Sequence, residues 1–421
     1  MAAGQPDVRR WTVGIEFNAS SRTTLGVEWE LQLVDEQSRH LRQEAQQILA
    51  ELPELSGRQP IPPLRHELMQ SQVEVVSGIC ETATEIRSDL ASTTGQLRAV
   101  LDARSTTLIC SGTHPLDDWR DQTLSPVYRY GQLVEQMQWL ARRILTFGVH
   151  VHVGVRSRDM AIPIVNALAR YLPHFLALTA SSPYWSGHDT GLASTRAVVF
   201  GSLPTAGPPP RLPNWSAFED YMATLLHAGT IASIKEVWWD IRPHPEYGTV
   251  EIRMFDGIPT LREVGMAAAL SQCLVRMFEH QLERGYSLPS PSPWIVTDNK
   301  WRATRYGLDA RVIVDERGTT VPLRDDIYEL LHELGPMAVR LGCAEELGVA
   351  WDILAKGASY ERQRAIITHG GSLNDVVDAL VTEMRTDEFH TDPHPRGIPA
   401  ARAASTSTNA PQDRGPSHAG S

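Results

Sequence analysis

The chain contains neither a GxxxxGK[ST] loop nor a GxGxxG fingerprint, so any nucleotide it binds is not cradled by those glycine-rich turns. It has no run of 18 or more apolar residues, and its N-terminus shows no apolar signal-peptide core. The expectation is a cytoplasmic protein that does not engage a membrane. Cysteine is scarce. Cys80, Cys110, Cys273 and Cys343 have neither metal-ligand spacing nor the look of a disulfide framework, which fits a reducing compartment. Basic charge is in deficit, with 39 Lys and Arg against 50 Asp and Glu and a formal net charge of −11. Non-specific binding to nucleic acid or anionic lipid needs basic patches and is excluded as the main activity. No HExxH pair occurs either, which removes the commonest zinc-hydrolase signature.

What is present is an ordinary globular composition, 42% apolar and 21% charged over 421 residues, with ample material for a core. Pattern begins near Thr23, so residues 1–22 are expected to form a flexible extension and 23–387 one catalytic domain. From about Asp387 the sequence fills with Pro, Ala, Ser, Thr and Gly. That composition cannot bury enough apolar surface to order itself, and 388–421 is expected to be a disordered tail. The Pro-rich stretch 203–213 reads as an extended loop and a candidate lid, and Ser111–Pro115 as loop punctuation. Helices are expected over 82–106 and from Thr260 to Arg284, each opened by a capping box (Thr82 with Glu85, Thr260 with Glu263). Others are expected around 133–144 and 158–180, the latter kinked at Pro173, and near 324–342, 344–355, 359–367 and 372–385.

Three distant segments alternate strictly. Val27, Trp29 and Leu31 oppose Glu28 and Glu30; Val149, Val151 and Val153 oppose His150 and His152; Val250 and Ile252 oppose Glu251 and Arg253. Successive side chains of a strand point to opposite faces. Brought into one sheet, these strands would have an apolar back and a front of carboxylates, imidazoles and guanidinium. No regular strand–helix beat is visible, so the expected class is α+β with an antiparallel or mixed sheet and helices on its apolar face.

Glu67 and Glu74, in the segment Arg65–Val75, add two more acids, and five carboxylates (28, 30, 67, 74 and 251) converge if the strands do. Clustered like charges repel and raise one another's pKa unless a cation neutralises them. Hard divalent ions with oxygen ligands answer that need, Mg²⁺ first and Mn²⁺ as the alternative. Glu28-x-Glu30 by itself also describes an exposed strand with alternating acids, and His150-x-His152 a pair of structural histidines. Arg242 and Arg253 flank Glu251, and arginine suits bidentate recognition of phosphate or carboxylate. Arg196, read as a loop residue, is the weaker candidate.

Thr24-Leu-Gly-Val-Glu28-x-Glu30, Gly112-Thr-His-Pro115, Phe147-Gly-Val-His150-Val-His152-Val-Gly154, Pro173-His-Phe, Ala180-Ser-Ser-Pro-Tyr184, Trp239-Asp-Ile-Arg-Pro243 and Gly248-Thr-Val-Glu-Ile-Arg253 occur in that order. Together they resemble the type-2 glutamate–cysteine ligase family of carboxylate–amine ligases, over about residues 23 to 385. The resemblance implies a glutamine-synthetase-like fold, in which a curved antiparallel sheet floors the active site. It implies use of ATP and Mg²⁺ to activate the γ-carboxylate of glutamate as an acyl phosphate, which cysteine or another amine then attacks. It also implies that Glu28, Glu30, Glu67, Glu74, His150 and Glu251 hold metal. Arg253 and Arg242 would be the catalytic arginines, with His152 and Arg196 beside the nucleotide. The partners implied are small molecules, with neither nucleic acid nor membrane, and a homo-oligomer is compatible. The reading from a different class is a metal-dependent hydrolase, in which His150, His152 and the acids activate water at Zn²⁺ or Mn²⁺.

Overall fold

Alternation builds the central sheet. In the computed structural model, which describes residues 14–57 and 62–392, seven strands pair antiparallel. They are β1 (Leu25–Asp35), β2 (Leu64–His66), β3 (Gln72–Val76), β4 (Thr106–Ile109), β5 (Gly148–Gly154), β6 (Ile241–His244) and β7 (Thr249–Asp256). Their order is β2-β3-β1-β5-β7-β6, with β4 pairing the far end of β1 at Gln32–Asp35. The back-face residues Val27, Trp29, Val73, Val149, Val151, Val250 and Ile252 are at most 1% exposed. Full burial of one such side chain contributes about 1.5–3 kcal/mol. A one-residue slip of any of these strands would turn that row outward and bury its charges, so the register is tightly specified. The indole of Trp29 is satisfied inside the core, its Nε1 donating to Ile258 O at 2.9 Å.

Helices cover the apolar back, chiefly Ala83–Asp102, Leu261–Glu283, Arg158–Leu168 and Leu172–Thr179. The expected α+β architecture, an antiparallel sheet with helices on its greasy face, is what the molecule adopts. Thr82 and Thr260 each accept the amide N–H of the residue three positions on, Glu85 and Glu263, at 3.2 Å. The reciprocal halves of the boxes differ: Glu85 accepts from the N–H of Glu81, and Glu263 accepts the Thr260 hydroxyl. The four C-terminal helices, Leu323–Leu341, Ala344–Lys356, Ser359–Thr368 and Leu373–Thr386, lie within a residue or two of expectation.

Other expectations are corrected. The helix expected at 133–144 is two, Tyr128–Met137 and Trp139–Arg142, separated by Gln138 at φ +50°. The 158–180 helix breaks into Arg158–Leu168, a single 3₁₀ turn and Leu172–Thr179, because Pro173 cannot donate and its ring crowds the preceding turn. The stretch Arg158–Thr179 is long and apolar enough to cross a bilayer by composition, yet 83% of its most apolar window is buried inside the fold.

The described part of the expected flexible extension, residues 14–22, is tied down. The Ile15 N–H donates to Glu219 at 2.9 Å, the Asn18 N–H donates to Pro245 O at 3.0 Å, and Phe17 packs edge-on against Trp215. The start of the expected tail is also held, with Phe389 over the Arg362 guanidinium and the His390 N–H on Glu383. Residues 1–13 of that extension and 393–421 of that tail lie outside the described residues. The Pro-rich loop contributes only Leu203 to the front-face cavity; Pro208, Pro209 and Pro210 line a separate groove beside Pro291.

Candidate active site

Strand register sets the front face in rows. Glu74 of β3 is the direct cross-strand partner of both Arg65 on β2 and Glu30 on β1. Glu28 pairs with His150. Glu251 of β7 pairs with both His152 on β5 and Arg242 on β6. Directly opposed residues lie about 4.5–5.5 Å apart at Cβ, so side chains from segments more than 200 residues apart in sequence are forced together. A register shift between Val149 and Val151 leaves both Arg253 and Met254 opposite His150. This bulge lets Met254 and Phe255 both turn to the core while Arg253 faces the front. Strict alternation had carried the reading only as far as Met254.

All ten sequence-derived candidates line one cavity of about 400 Å³: Glu28, Glu30, Glu67, Glu74, His150, His152, Arg196, Arg242, Glu251 and Arg253. Glu67 reaches it from the turn after β2, where its own carboxylate accepts the Leu68 N–H at 3.0 Å. Glu28 Oε2 is 3.0 Å from His150 Nδ1, and Glu28 Oε1 is 3.8 Å from His152 Nε2. His152 Nε2 is also 3.9 Å from Glu251 Oε1, while its Nδ1 is fixed by the Thr249 hydroxyl at 3.0 Å. Three groups have ligand atoms within 4.8 Å of one another: Glu28, Glu74 and His150; Glu28, His152 and Glu251; and Glu30, Glu67 and Glu74. Oxygen donors outnumber nitrogen in this set and no thiol joins it, which suits Mg²⁺ or Mn²⁺ better than Zn²⁺.

The electrostatics split the acids. Burial would raise the Glu28 carboxyl, but its hydrogen bond to His150 and the charges of both imidazoles outweigh it and bring the group to about 2. Burial opposes ionisation of Glu251 too, yet Arg242 and Arg253 hold it well below the usual range. Glu67 goes the other way, pushed up to about 8 by burial and by Glu30. Glu74 is raised well above its ordinary value by burial, Glu28 and Glu67. Two acids that resist ionisation beside two that hold their charge are what a cation would reconcile.

Five buried nitrogens of residues lining this cavity have no hydrogen-bond partner among the described residues: His66 Nδ1, His152 Nε2, Arg196 Nε, His244 Nδ1 and Arg253 Nε. Buried polar atoms are rarely left so without a ligand to meet them. Arg242 differs. Its Nε donates to Glu251 at 2.8 Å and its Nη1 to the carbonyls of Lys235 and Val237, so its guanidinium is engaged by protein and holds Glu251 in place. Arg253 Nη1 also donates to Glu251. Arg196 corrects the loop reading. It lies in the first turn of a short helix, Thr195–Gly201, is 3% exposed, and stretches its guanidinium over Gly148, with Nη2 on Arg253 O at 3.2 Å.

The cavity also takes Arg65, Arg129, Lys235, Trp238, His244 and Tyr247, none of which was singled out from sequence. Arg65 was legible, since it alternates with Leu64 beside Glu74. Arg129 comes from the helix Tyr128–Met137 and Lys235 from the single 3₁₀ turn Ile234–Glu236, where no periodicity marks them. His244 stacks on Tyr247 at 4.2 Å, and burial lowers its pKa to about 4, leaving it neutral. The Ser111–Pro115 loop does structural work as expected: His114 is fully buried and its Nδ1 accepts the N–H groups of Leu116 and Asp117.

The model of the family described as Glutamate-cysteine ligase family 2 matches residues 24–379. The chain belongs to the glutamate–cysteine ligase family 2. A relative from Thermobifida fusca (strain YX), named "Putative glutamate--cysteine ligase 2", is 71% identical over 406 residues, covering 96% of this chain and 99% of that protein. A family member from Frankia casuarinae, named in the same way as 2-1, is 57% identical over 373 residues, covering 88% and 98%. Among solved structures, the glutamate–cysteine ligase of Francisella tularensis in complex with AMP superposes with a TM-score of 0.62 at 12% identity, covering 87% of this chain and 90% of that one. A bifunctional glutathione synthetase from Pasteurella multocida gives 0.59 at 14% identity; this chain covers 52% of its length. At those identities the likeness is one of fold, and it agrees with the mixed architecture of helices on an antiparallel sheet described above.

Proposed function

We propose that the protein is an ATP-dependent ligase that joins the γ-carboxylate of glutamate to the amine of cysteine, releasing ADP and phosphate. The observation that carries the reading is one cavity in which a cluster of acids adjoins two arginines with unpartnered nitrogens, in a chain of this family. A carboxylate is a poor acyl donor, and phosphorylation supplies a leaving group. A γ-carboxylate oxygen attacks the terminal phosphorus of ATP, the bond to the bridging oxygen breaks, and ADP departs. The amine then attacks the acyl carbon, phosphate leaves, and the nitrogen loses a proton as the amide forms.

In this reading Glu28, Glu30, Glu67, Glu74, His150 and Glu251 hold Mg²⁺, which would offset the charge of the polyphosphate. Arg253 and Arg196 offer donors to the transferring phosphoryl oxygens, and charge-assisted bonds from arginine are strong there. Arg242 braces Glu251. His152, its Nδ1 held by Thr249, presents Nε2 to the ligand. The acyl phosphate is open to hydrolysis, and the helix Tyr128–Met137, which supplies Arg129 and Tyr130 to the cavity, is placed to limit water.

The hydrolytic alternative finds no support, since family membership points to ligation and the donor set is oxygen-rich. The test is ADP and phosphate release by the purified protein with ATP, Mg²⁺ and glutamate, against the twenty amino acids and small amines. Release that requires both glutamate and an amine, with cysteine best, is expected. Absence of any amino-acid-dependent release, or one tightly held zinc per chain with water as sole acceptor, would overturn the reading.

A further inference from the structure

Asp256 ends β7, the strand that carries Glu251 and Arg253, and it is fully buried. It forms no ion pair among the described residues. Its charge is met by three donors instead: the Ser181 N–H at 3.0 Å and the Ser182 hydroxyl at 2.6 Å on Oδ2, and the Ser194 hydroxyl at 2.6 Å on Oδ1. Burial raises the Asp256 carboxyl, and the nearby Arg196 charge and these three donors oppose that rise.

Each of those hydroxyls then accepts one amide from the first turn of the Thr195–Gly201 helix. Ser182 Oγ accepts the Arg196 N–H at 3.1 Å, and Ser194 Oγ accepts the Ala197 N–H at 3.1 Å. A serine hydroxyl has one proton and can give it to only one acceptor. By taking both protons, the carboxylate leaves both oxygens as pure acceptors toward the helix. Gly112 closes the space beside it, since a Cβ there would come within 2.7 Å of Asp256 Cγ. The chain of contacts runs from Asp256 through Ser182 and Ser194 to the backbone of Arg196, whose guanidinium lies over Gly148 in the cavity.

We propose that Asp256 is a positioning residue of the active site: through the Ser182 and Ser194 hydroxyls it fixes the first turn of the 195–201 helix, so that Arg196 stands ready beside the phosphates of the nucleotide. The inference rests on the functional reading above. It assigns the Ala180–Tyr184 and Ala193–Arg196 segments a shared purpose, which is to aim one guanidinium from outside the sheet. An asparagine at 256 offers one acceptor oxygen and an NH₂, so one of the two serines must turn its proton elsewhere and release its hold. A displacement of about 1 Å at a phosphate-binding group can cost on the order of 100-fold in rate.

The experiment is a double-mutant cycle between D256N and R196A, read by Mg·ADP affinity in calorimetry, by KM for ATP and kcat, and by thermal unfolding. D256N is expected to weaken Mg·ADP binding and raise KM for ATP by about tenfold or more, and to do neither in the R196A background, because residues acting through one another are not additive. S182A and S194A serve where D256N does not fold, and each should show the same coupling to R196A at smaller size. Independent, multiplying effects of D256N and R196A, or of both serine variants and R196A, would overturn the positioning role. So would wild-type nucleotide affinity in D256N. If the wild-type protein itself neither binds Mg·ADP nor turns over ATP, the ligase reading falls and this inference with it. Additivity in an active wild type would sink the inference alone.

Discussion

Glu28 Oε2 lies 3.0 Å from His150 Nδ1, across directly paired residues of β1 and β5, and this contact divides the labour of the acidic face. It keeps Glu28 ionised in a place where Glu67 and Glu74 are pushed toward their neutral forms. Glu28 also belongs to two of the three clusters of candidate ligands. Replacing it with glutamine keeps an acceptor for His150 and removes the charge. Glu28→Gln is expected to lower ligase turnover on the order of 100-fold, with a modestly lower melting temperature because the anion's favourable interactions with His150 and His152 are lost. Steady-state phosphate release and thermal unfolding check this. Unchanged turnover would make the acidic face structural.

The raised acids give the metal-free protein a pH signature. The folded-state value of Glu67 is about 8 against an ordinary 4.5, so the folded protein holds a proton that the unfolded chain has lost. That contribution is complete below the unfolded value and disappears as pH rises through about 8. Glu74, raised in the same sense, adds to it. Glu28, lowered to about 2, loses its contribution only in strong acid. Lowered histidines such as His150 and His244 make stability climb only up to their unfolded value of about 6.5. Between roughly pH 7 and pH 8.5 the acids therefore act alone. The melting temperature measured in chelator should fall across that window, Mg²⁺ should restore it more at the upper end than the lower, and Glu67→Gln should flatten the slope. A metal-free melting temperature that rises across the window would contradict the assignment.

Which parts of this site could be read in the sequence follows from geometry. Residues on strands with strict alternation, Glu28, Glu30, His150, His152, Glu251 and Arg253, declared their shared face because period two is visible in the letters. Glu67 and Arg196 lack such a period. Glu67 sits in a turn, and Arg196 enters from a seven-residue helix outside the sheet, so no alternation marked them: Glu67 entered only as a further acid of the 65–75 segment and Arg196 only as a weaker loop candidate, and the family resemblance gave both their roles. Arg129, Lys235 and Trp238 were missed for the same reason: they reach the cavity through tertiary packing that leaves no local trace. The break at Gln138 and the bulge that turns Phe255 inward are likewise departures from regularity, which a periodic template smooths over, whereas the interruption at Pro173 was legible as a kink and proved a full break.

Gly148 offers a test of the Arg196 position that leaves every charge in place. A Cβ on residue 148 would lie 2.1 Å from Arg196 Nη2 and 2.6 Å from its Cζ. The obstructing group is the end of a long side chain rather than backbone, so the fold can accommodate alanine by moving the guanidinium. Gly148→Ala is accordingly expected to leave the unfolding midpoint nearly unchanged. It should cost about tenfold or more in kcat/KM for ATP, with a smaller effect on KM for glutamate. Equal loss in stability and activity would place the damage in the β5 backbone instead.

Away from the cavity, Arg362 sits between Glu383, at 2.6 Å from its Nε, and Glu263, at 3.0 Å from its Nη2, with all three side chains at most 4% exposed. Its Nη1 donates to Gly357 O at 2.9 Å, and Phe389 lies over the guanidinium. The triad joins the first turn of the Leu261–Glu283 helix to the last two helices of the fold. None of these side chains lines the front-face cavity. Removing the cation leaves two buried carboxylates facing one another, and breaking such a network costs about 3–5 kcal/mol. Arg362→Met should lower the unfolding free energy extrapolated from urea titration by that amount at neutral pH while leaving KM for ATP unchanged in the folded fraction. Acidification should recover part of the loss in the variant, because protonating Glu263, whose carboxyl burial already raises, relieves the repulsion. A variant equally destabilised at pH 5.5 and pH 8 would show that packing around Arg362, and not its charge, sets the penalty.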